Sequence, residues 1–226
     1  MDQKINITLC CPSRGRPNFA KRMQDSALAT AKYPDQVKIK FYLNVDDPQL
    51  KNYKLKDFEI GIDRSTVMSW NIIAESSPSR MYMLVGDDAE FITQDWDKKF
   101  LDQYKKYPDG IFMIGTATGK KHGLIHKTSP HPVITQEWRN TLGYFWPVQF
   151  HHWCLDNYTN DLATKIGRYI FMEDVLIKVK KITEDDTAKR IRTDAVHLRD
   201  KWVYEKTKQC YFDFDVLRLK MACKLI

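Results

Sequence analysis

The sequence predicts an α/β protein: a twisted, mostly parallel sheet with helices on both faces, in a single domain with a C-terminal extension. Three observations predict it. Strand-like runs alternate with helix-like periods over the first hundred residues, the pattern of a sheet wound by crossover helices. Met81-Tyr82-Met83-Leu84-Val85 is a short continuous apolar run, as expected of a central strand covered on both faces. Polar or acidic turns then follow the strand runs, at Pro12-Ser13-Arg14, Asp46-Asp47 and Gly86-Asp87-Asp88. In open α/β sheets ligands gather beyond the carboxyl ends of the strands, so these three clusters are expected to converge on one crevice.

Taken in order, Ile5 to Cys11 is apolar and β-branched and breaks at Pro12-Ser13-Arg14-Gly15-Arg16-Pro17. Phe19, Met23, Ala27 and Ala31 recur at four-residue spacing, which predicts a helix from about Phe19 to Lys32. Val37 to Val45 alternates as a strand and stops at Asp46-Asp47-Pro48. Ser65 to Ala74 reads as a second helix, with Val67, Trp70 and Ile73 on one side. Ile111 to Gly115 is a further strand. His122 to Pro132, with three histidines and two prolines, reads as a loop crossing the crevice. Leu155 to Ile166 reads as helical. Asp194-Ala195-Val196-His197-Leu198 reads as a last strand-like segment, before a short amphipathic helix from Val216 to Lys224.

Composition narrows the functional classes. Of 226 residues, 43% are hydrophobic and 29% charged, enough to bury a core without disulfide or metal staples. No stretch approaches the roughly 20 apolar residues that span a bilayer. With no signal-like segment before Ile5, the chain is expected to be cytoplasmic, without a membrane or an obligate protein partner. Cys10, Cys11, Cys154, Cys210 and Cys223 are odd in number and form no CxxC pair. Neither a disulfide framework nor a zinc site is expected, and buried reduced thiols are. The net charge of +7 favours polyanionic partners such as nucleic acid, although the lysines are scattered.

Adjacent carboxylates after a buried strand repel one another and resist desolvation, so Asp87-Asp88 calls for a divalent cation or a solvated loop. Oxygen ligands suit Mg²⁺ or Mn²⁺, which bridge a diphosphate and offset its charge. Glu90, two residues on, is a reserve ligand. A transfer to a hydroxyl also needs a general base, because an alcohol is a poor nucleophile until its proton is taken. Asp156, after the aromatic-lined His151-His152-Trp153-Cys154-Leu155, is preferred over Asp174, with Glu137 behind both. The aromatics Trp138, Tyr144, Phe145, Trp146, Phe150 and Trp153 fit core packing, or stacking on a sugar or base.

The order Pro12-Ser13-Arg14-Gly15-Arg16-Pro17, then Val45-Asp46-Asp47-Pro48, then Arg64 to Asn71 on a helix, then Val85-Gly86-Asp87-Asp88-Ala89-Glu90 resembles the nucleotide-binding half of GT-A glycosyltransferases. It is most similar to small family-2-like members of phages and bacteria. The likeness covers about the first hundred residues well. It implies that residues 1–100 bind a nucleotide-sugar, 101–200 form the acceptor half and 201–226 are an extension. By position, Pro12, Ser13 and Arg14 would line base and ribose. Asp46 or Asp47 would accept a hydrogen bond from uracil, implying a UDP-sugar. Arg64 would meet the donor, and Asn71 would brace the loop. Asp88 would bind Mn²⁺ or Mg²⁺, Asp87 the ribose or a metal-bound water, and His197 would complete the metal shell. Glu173-Asp174 resembles the pair that bears the base in many family-2 enzymes. The family's usual Asp-x-Asp here reads Gly86-Asp87-Asp88 or Asp88-Ala89-Glu90, so which acid meets metal stays open.

The resemblance thus implies an inverting transfer from a UDP-sugar to an acceptor hydroxyl. Some phage enzymes that this chain resembles act on a hydroxymethylated base in DNA, and basic charge, aromatic loops and the expected lack of a membrane-binding tail or large extra domain favour a hydroxymethylated pyrimidine in phage DNA as that acceptor. A cell-surface glycan or a protein is the alternative. A nucleotidyltransferase would want a glycine-rich loop with a lysine, which Ser13-Arg14-Gly15-Arg16 lacks. A non-catalytic nucleic-acid module fits poorly with an acidic crevice that repels phosphates.

Overall fold

The first strand forms where Ile7, Leu9 and Cys11 can bury against one layer of helices while Cys10 enters the layer opposite. That two-sided burial recurs across the centre of the molecule. A computed structural model describes residues 6–119, 127–180 and 185–225. His122, His126 and the Lys120-Lys121 pair lie outside the described residues.

The strands are β1 (Ile7–Ser13), β2 (Val37–Asn44), β3 (Phe58–Gly61), β4 (Met81–Leu84), β5 (Ala89–Phe91), β6 (Met113–Ala117), β7 (Val133–Thr135) and β8 (Tyr169–Val179). They form one sheet of order β3-β2-β1-β4-β7-β6-β8-β5. The block β3-β2-β1-β4 is parallel. β7 then runs antiparallel to both β4 and β6, β8 parallel to β6, and the short β5 antiparallel to β8. Every residue of β4 is buried, as its continuous apolar run predicts.

Helices α1 (Pro17–Thr30) and α3 (Trp96–Tyr104) cover one face. There Ala20, Met23, Ala27, Trp96 and Phe100 pack on Leu9, Met83 and Ile114. The other face carries α2 (Thr66–Glu75), α4 (Gln136–Leu142), α5 (Leu155–Lys165), α7 (Asp194–Cys210) and α8 (Phe212–Ala222). Its core joins Trp70, Trp138, Trp146, Tyr158, Val203 and Leu219. The aromatic stretch is therefore mostly core: Trp138, Phe145, Trp146 and Phe150 are buried. Helix α6 (Asp186–Ile191) is a short separate turn.

The expected late strand at Asp194 to Leu198 is helix instead. Thr193 Oγ1 accepts the Val196 N–H at 3.3 Å and caps a 17-residue helix. Its buried positions Asp200, Val203 and Thr207 follow helical spacing. The last helix also starts before the expected Val216, at Phe212. Cys10, Cys11 and Cys223 are buried free thiols, whereas Cys154 is half-buried and Cys210 exposed.

Candidate active site

Because β1 and β4 are parallel neighbours, the turns after them lie side by side. They form the floor of a cleft of about 280 Å³ lined by Pro12, Ser13, Arg14, Arg16, Gly86, Asp87 and Asp88. Asn44, at the end of β2, and Asp63, Arg64, Thr66 and Trp70, at and before α2, form one wall. His131, His152, Trp153 and Asp156 form another, and α6 brings Thr187, Arg190 and Ile191, with Arg192 beyond it.

Asp87 is buried. It accepts a hydrogen bond from Ser13 Oγ at 2.7 Å and an ion pair from Arg16 Nη1 at 3.1 Å. Burial pushes its carboxyl up to about 6 against the lowering influence of Arg16 and Ser13, and the nearby Asp88 adds to the rise. Arg16 is itself buried and also grips Asp185 through two bonds, Nε to Oδ2 at 2.6 Å and Nη2 to Oδ1 at 2.7 Å. Asp185 caps α6 by accepting the Ala188 N–H at 2.7 Å. One guanidinium thus ties the end of β4 to the start of α6. Further ties fasten α6 over the cleft: Thr187 Oγ1 donates to the Arg14 carbonyl at 2.7 Å, and Trp153 Nε1 to the Ile191 carbonyl at 2.8 Å. Arg190 pairs with Asp63, which also accepts from Asn44 Nδ2 at 2.8 Å.

Asp88 is half-buried and lines the cleft. Its carboxylate occupies the space left by the missing side chain of Gly86, where an added Cβ would lie 2.6 Å from Asp88 Oδ1. Among the described residues, no three His, Cys, Asp or Glu side chains converge to hold a metal ion by themselves. The donor set instead fits a hard cation held by one or two carboxylates, with the remaining oxygens supplied by a diphosphate. The cations Arg14, Arg16, Arg64, Arg190 and Arg192 share the cleft, and of these Arg14, Arg16 and Arg190 are paired with carboxylates.

The structure brings Pro12, Ser13, Arg14, Arg64, Asp87, Asp88 and Asp156 into this one cleft, and leaves four other expected residues outside its lining. Asp47 is buried beneath the turn, where it accepts from Gly15 N–H at 2.7 Å, Gln49 N–H at 2.8 Å and Tyr53 Oη at 3.1 Å. Asp46 is exposed and pairs with Arg14. The pair therefore braces the turn after β1 and orients Arg14. Asp174 lies in an irregular stretch of β8, exposed and paired with Lys99 beside a separate shallow depression. His197 is exposed on α7 and sets its ring edge-on to Trp153, with centroids 5.7 Å apart. It does not line the cleft, and the segment that carries it is helix rather than strand. Of the reserve residues, Glu90 lies in β5 opposite Lys178 of β8, and Glu137 accepts from Tyr104 Oη at 2.9 Å. Asn71 exchanges two hydrogen bonds with the Trp146 backbone, at 2.9 and 3.1 Å, and so braces that loop.

Asp156, in the first turn of α5, is half-buried, and desolvation pushes its carboxyl above the usual range. The loop before it is held by Asp200 of α7, a fully buried carboxylate. Asp200 accepts the N–H groups of His151 at 2.9 Å, His152 at 2.7 Å and Trp153 at 2.7 Å, and pairs with Arg199 at 2.8 Å. His152 places Nδ1 3.1 Å from Thr66 Oγ1 and stacks on Trp70. Sequence reasoning assigned no role to Arg16, Asn44, Asp63, His152, Arg190 or Asp200. Only Arg16 carried a signal, its place between the glycine and proline of the turn after β1.

No protein-family model matches the sequence, and no curated protein matches it. Solved structures do match the fold. PcManGT, a mannosyltransferase from Pyrobaculum calidifontis solved with GDP-Man and Mn²⁺, superposes with a TM-score of 0.67 at 11% identity, over 98% of this chain and 74% of that one. TarS 1–349 of S. aureus with UDP-GlcNAc gives 0.65 at 8% identity, over 96% and 71%. The same fragment with UDP gives 0.59 at 10% identity, over 90% and 71%. At these identities the likeness is one of architecture, and it makes the fold a GT-A type fold.

Proposed function

We propose that this chain is a metal-dependent glycosyltransferase that moves a sugar from a nucleotide-sugar to an acceptor hydroxyl. One observation carries the reading: Asp87 and Asp88 meet Arg14, Arg16, Arg64, Arg190 and Arg192 in a single cleft, at the strand ends of a GT-A type fold. The neighbours in this fold bind GDP-Man with Mn²⁺, or UDP and UDP-GlcNAc, which supports a sugar diphosphate as donor. We take a UDP-sugar as that donor.

In this reading Pro12, Ser13 and Arg14 border the nucleoside, and Asn44 and Asp63 offer polar groups to the base from the neighbouring wall. Asp88 would hold Mn²⁺ or Mg²⁺ together with the diphosphate, and the bound cation would offset charge on the leaving group. Arg16, fixed by two carboxylates, keeps Asp87 oriented toward ribose or the cation's water. Arg64 and Arg192 stand where they can neutralise the departing nucleoside diphosphate. Asp156 takes the acceptor proton as the acceptor oxygen bonds to the anomeric carbon and the bond to diphosphate breaks. Such a single displacement inverts the anomeric centre. Desolvation favours the protonated carboxyl, which makes Asp156 a stronger base at the moment of transfer. Asp174, exposed and paired with Lys99, is the weaker candidate.

The basic balance of the chain supports a hydroxymethylated pyrimidine in DNA as acceptor, with a glycan or protein hydroxyl as the alternative. The test is product analysis by mass spectrometry. Purified protein is supplied with Mn²⁺, a panel of UDP- and GDP-sugars and hydroxymethylated DNA. Release of nucleoside diphosphate with a glycosyl increment on a pyrimidine is expected. Cleavage that leaves a nucleotidyl group on the acceptor would overturn the reading.

A further inference from the structure

His152 lines the cleft, and no step of the proposed transfer uses its ring. That ring is held firmly. Its Nδ1 lies 3.1 Å from the hydroxyl of Thr66, the first residue of α2. One face stacks on Trp70, with the planes 18° apart and the centroids separated by 6.3 Å. Trp153 meets it nearly perpendicular, with centroids 4.9 Å apart. The backbone is fixed as well, because His152 N–H donates to the buried Asp200 at 2.7 Å. The polar ring atom left over is Nε2, which makes no hydrogen bond among the described residues. Two neighbours locate this ring in the cleft. Trp70 Nε1 donates to the Val85 carbonyl at 3.4 Å, and Val85 leads directly into Gly86-Asp87-Asp88. Four residues after His152, Asp156 lines the same cleft from the first turn of α5.

We propose, resting on the glycosyltransferase reading, that His152 Nε2 hydrogen-bonds a hydroxyl of the transferred sugar and so helps to select which sugar is moved. With the diphosphate at Asp88 and the acceptor proton taken by Asp156, the sugar lies along the wall that joins the two, where His152 stands. The chemistry of the ring suits a hydroxyl. Burial lowers the imidazole to about 4, so at neutral pH one ring nitrogen donates and the other accepts. The Thr66 hydroxyl can serve Nδ1 in either role, and a sugar hydroxyl can serve Nε2 in either role. Because the ring is already fixed, forming that bond costs little further ordering. A sugar lacking the hydroxyl would leave Nε2 unpaired in a filled cleft, and sites of this kind discriminate sharply between close analogues.

Two amide substitutions separate this role from a purely structural one. Glutamine sets an amide where Nε2 stands and asparagine sets one where Nδ1 stands. His152→Gln therefore keeps the cleft-facing group, and His152→Asn keeps the tie to Thr66. Binding to the full chain is measured by titration calorimetry in Mn²⁺, with UDP, GDP, UDP-glucose, UDP-galactose, UDP-N-acetylglucosamine and GDP-mannose. At least one sugar nucleotide is expected to bind the native chain more tightly than its own nucleoside diphosphate. His152→Asn should weaken that sugar nucleotide about tenfold, while His152→Gln stays near native and the nucleoside diphosphate alone changes by less than about twofold in either variant. Full sugar affinity in His152→Asn with loss in His152→Gln would assign the ring to bracing Thr66 and overturn the proposal. So would sugar nucleotides that bind the native chain no better than their diphosphates, or variants that lose sugar and bare diphosphate in equal measure. Failure of every nucleotide to bind would overturn the glycosyltransferase reading itself, and the proposal with it.

Discussion

His152 faces the cleft with its ring stacked on Trp70 and its Nδ1 beside Thr66, and burial lowers its imidazole from 6.5 to about 4. It is therefore neutral at pH 7, available as a hydrogen-bond partner rather than as a cation. The sign of its linkage follows from that depression. Between the two values the unfolded chain binds the proton and the folded chain does not, so stability is lost as pH falls from 6.5 towards 4. The loss attributable to this group is on the order of 3 kcal/mol. His152→Gln should flatten the dependence of thermal midpoint on pH across that window, and an unchanged slope would place the titration elsewhere. Asp156 supports a kinetic prediction. Asp156→Asn should lower kcat by about 10²–10⁴-fold with little change in donor KM, as loss of a general base does. Asp174→Asn should leave both near the native values.

At the scale of elements, a helix distant in sequence sets the geometry of one wall of the cleft. Asp200 on α7 gathers three successive N–H groups of the loop 151–153, and Cys154, in the left-handed region at φ 65°, then turns the chain into α5 and Asp156. Asp200→Ala should cost about 3 kcal/mol in denaturant unfolding, because buried donors lose a charged acceptor. It should also lower kcat/KM beyond what the stability loss explains, while Asp200→Asn, which keeps one acceptor oxygen, recovers part of both. This wall also shows where the sequence was silent. The periodic runs that became β1, β2, β4, α1, α2 and α5 bury contiguous apolar residues, so local pattern reveals them. The three-residue strands β5 and β7, and β3 with Phe58 and Ile60 exposed, carry too few buried positions to do so. Asp194 to Leu198 misled because five residues show two apolar positions under either period, and only the cap at Thr193 and the buried spacing beyond it distinguish a helix.

Across the whole molecule, the floor of the cleft was legible in the sequence and its closure was not. Ser13 and Asp87 meet because neighbouring parallel strands end together, a consequence of the fold class the sequence announces. Arg16 and Asp185 lie 169 residues apart, and no periodicity connects them. Asp46 and Asp47 misdirect for a related reason. An acidic turn after a strand either faces ligand or braces its neighbour, and here Gly15 and Tyr53 claim Asp47 while Arg14 claims Asp46. On the proposed function, this cleft takes a nucleoside diphosphate together with a divalent cation held by Asp88. Thermal unfolding of the purified chain with UDP and GDP, with and without Mn²⁺, tests it most directly. With nucleotide at about a hundred times its Kd, the expected result is a rise of roughly 5–10 °C that requires Mn²⁺ and disappears in Asp88→Ala. Equal shifts without the metal, the same shift in Asp88→Ala, or no shift with either nucleotide would contradict it.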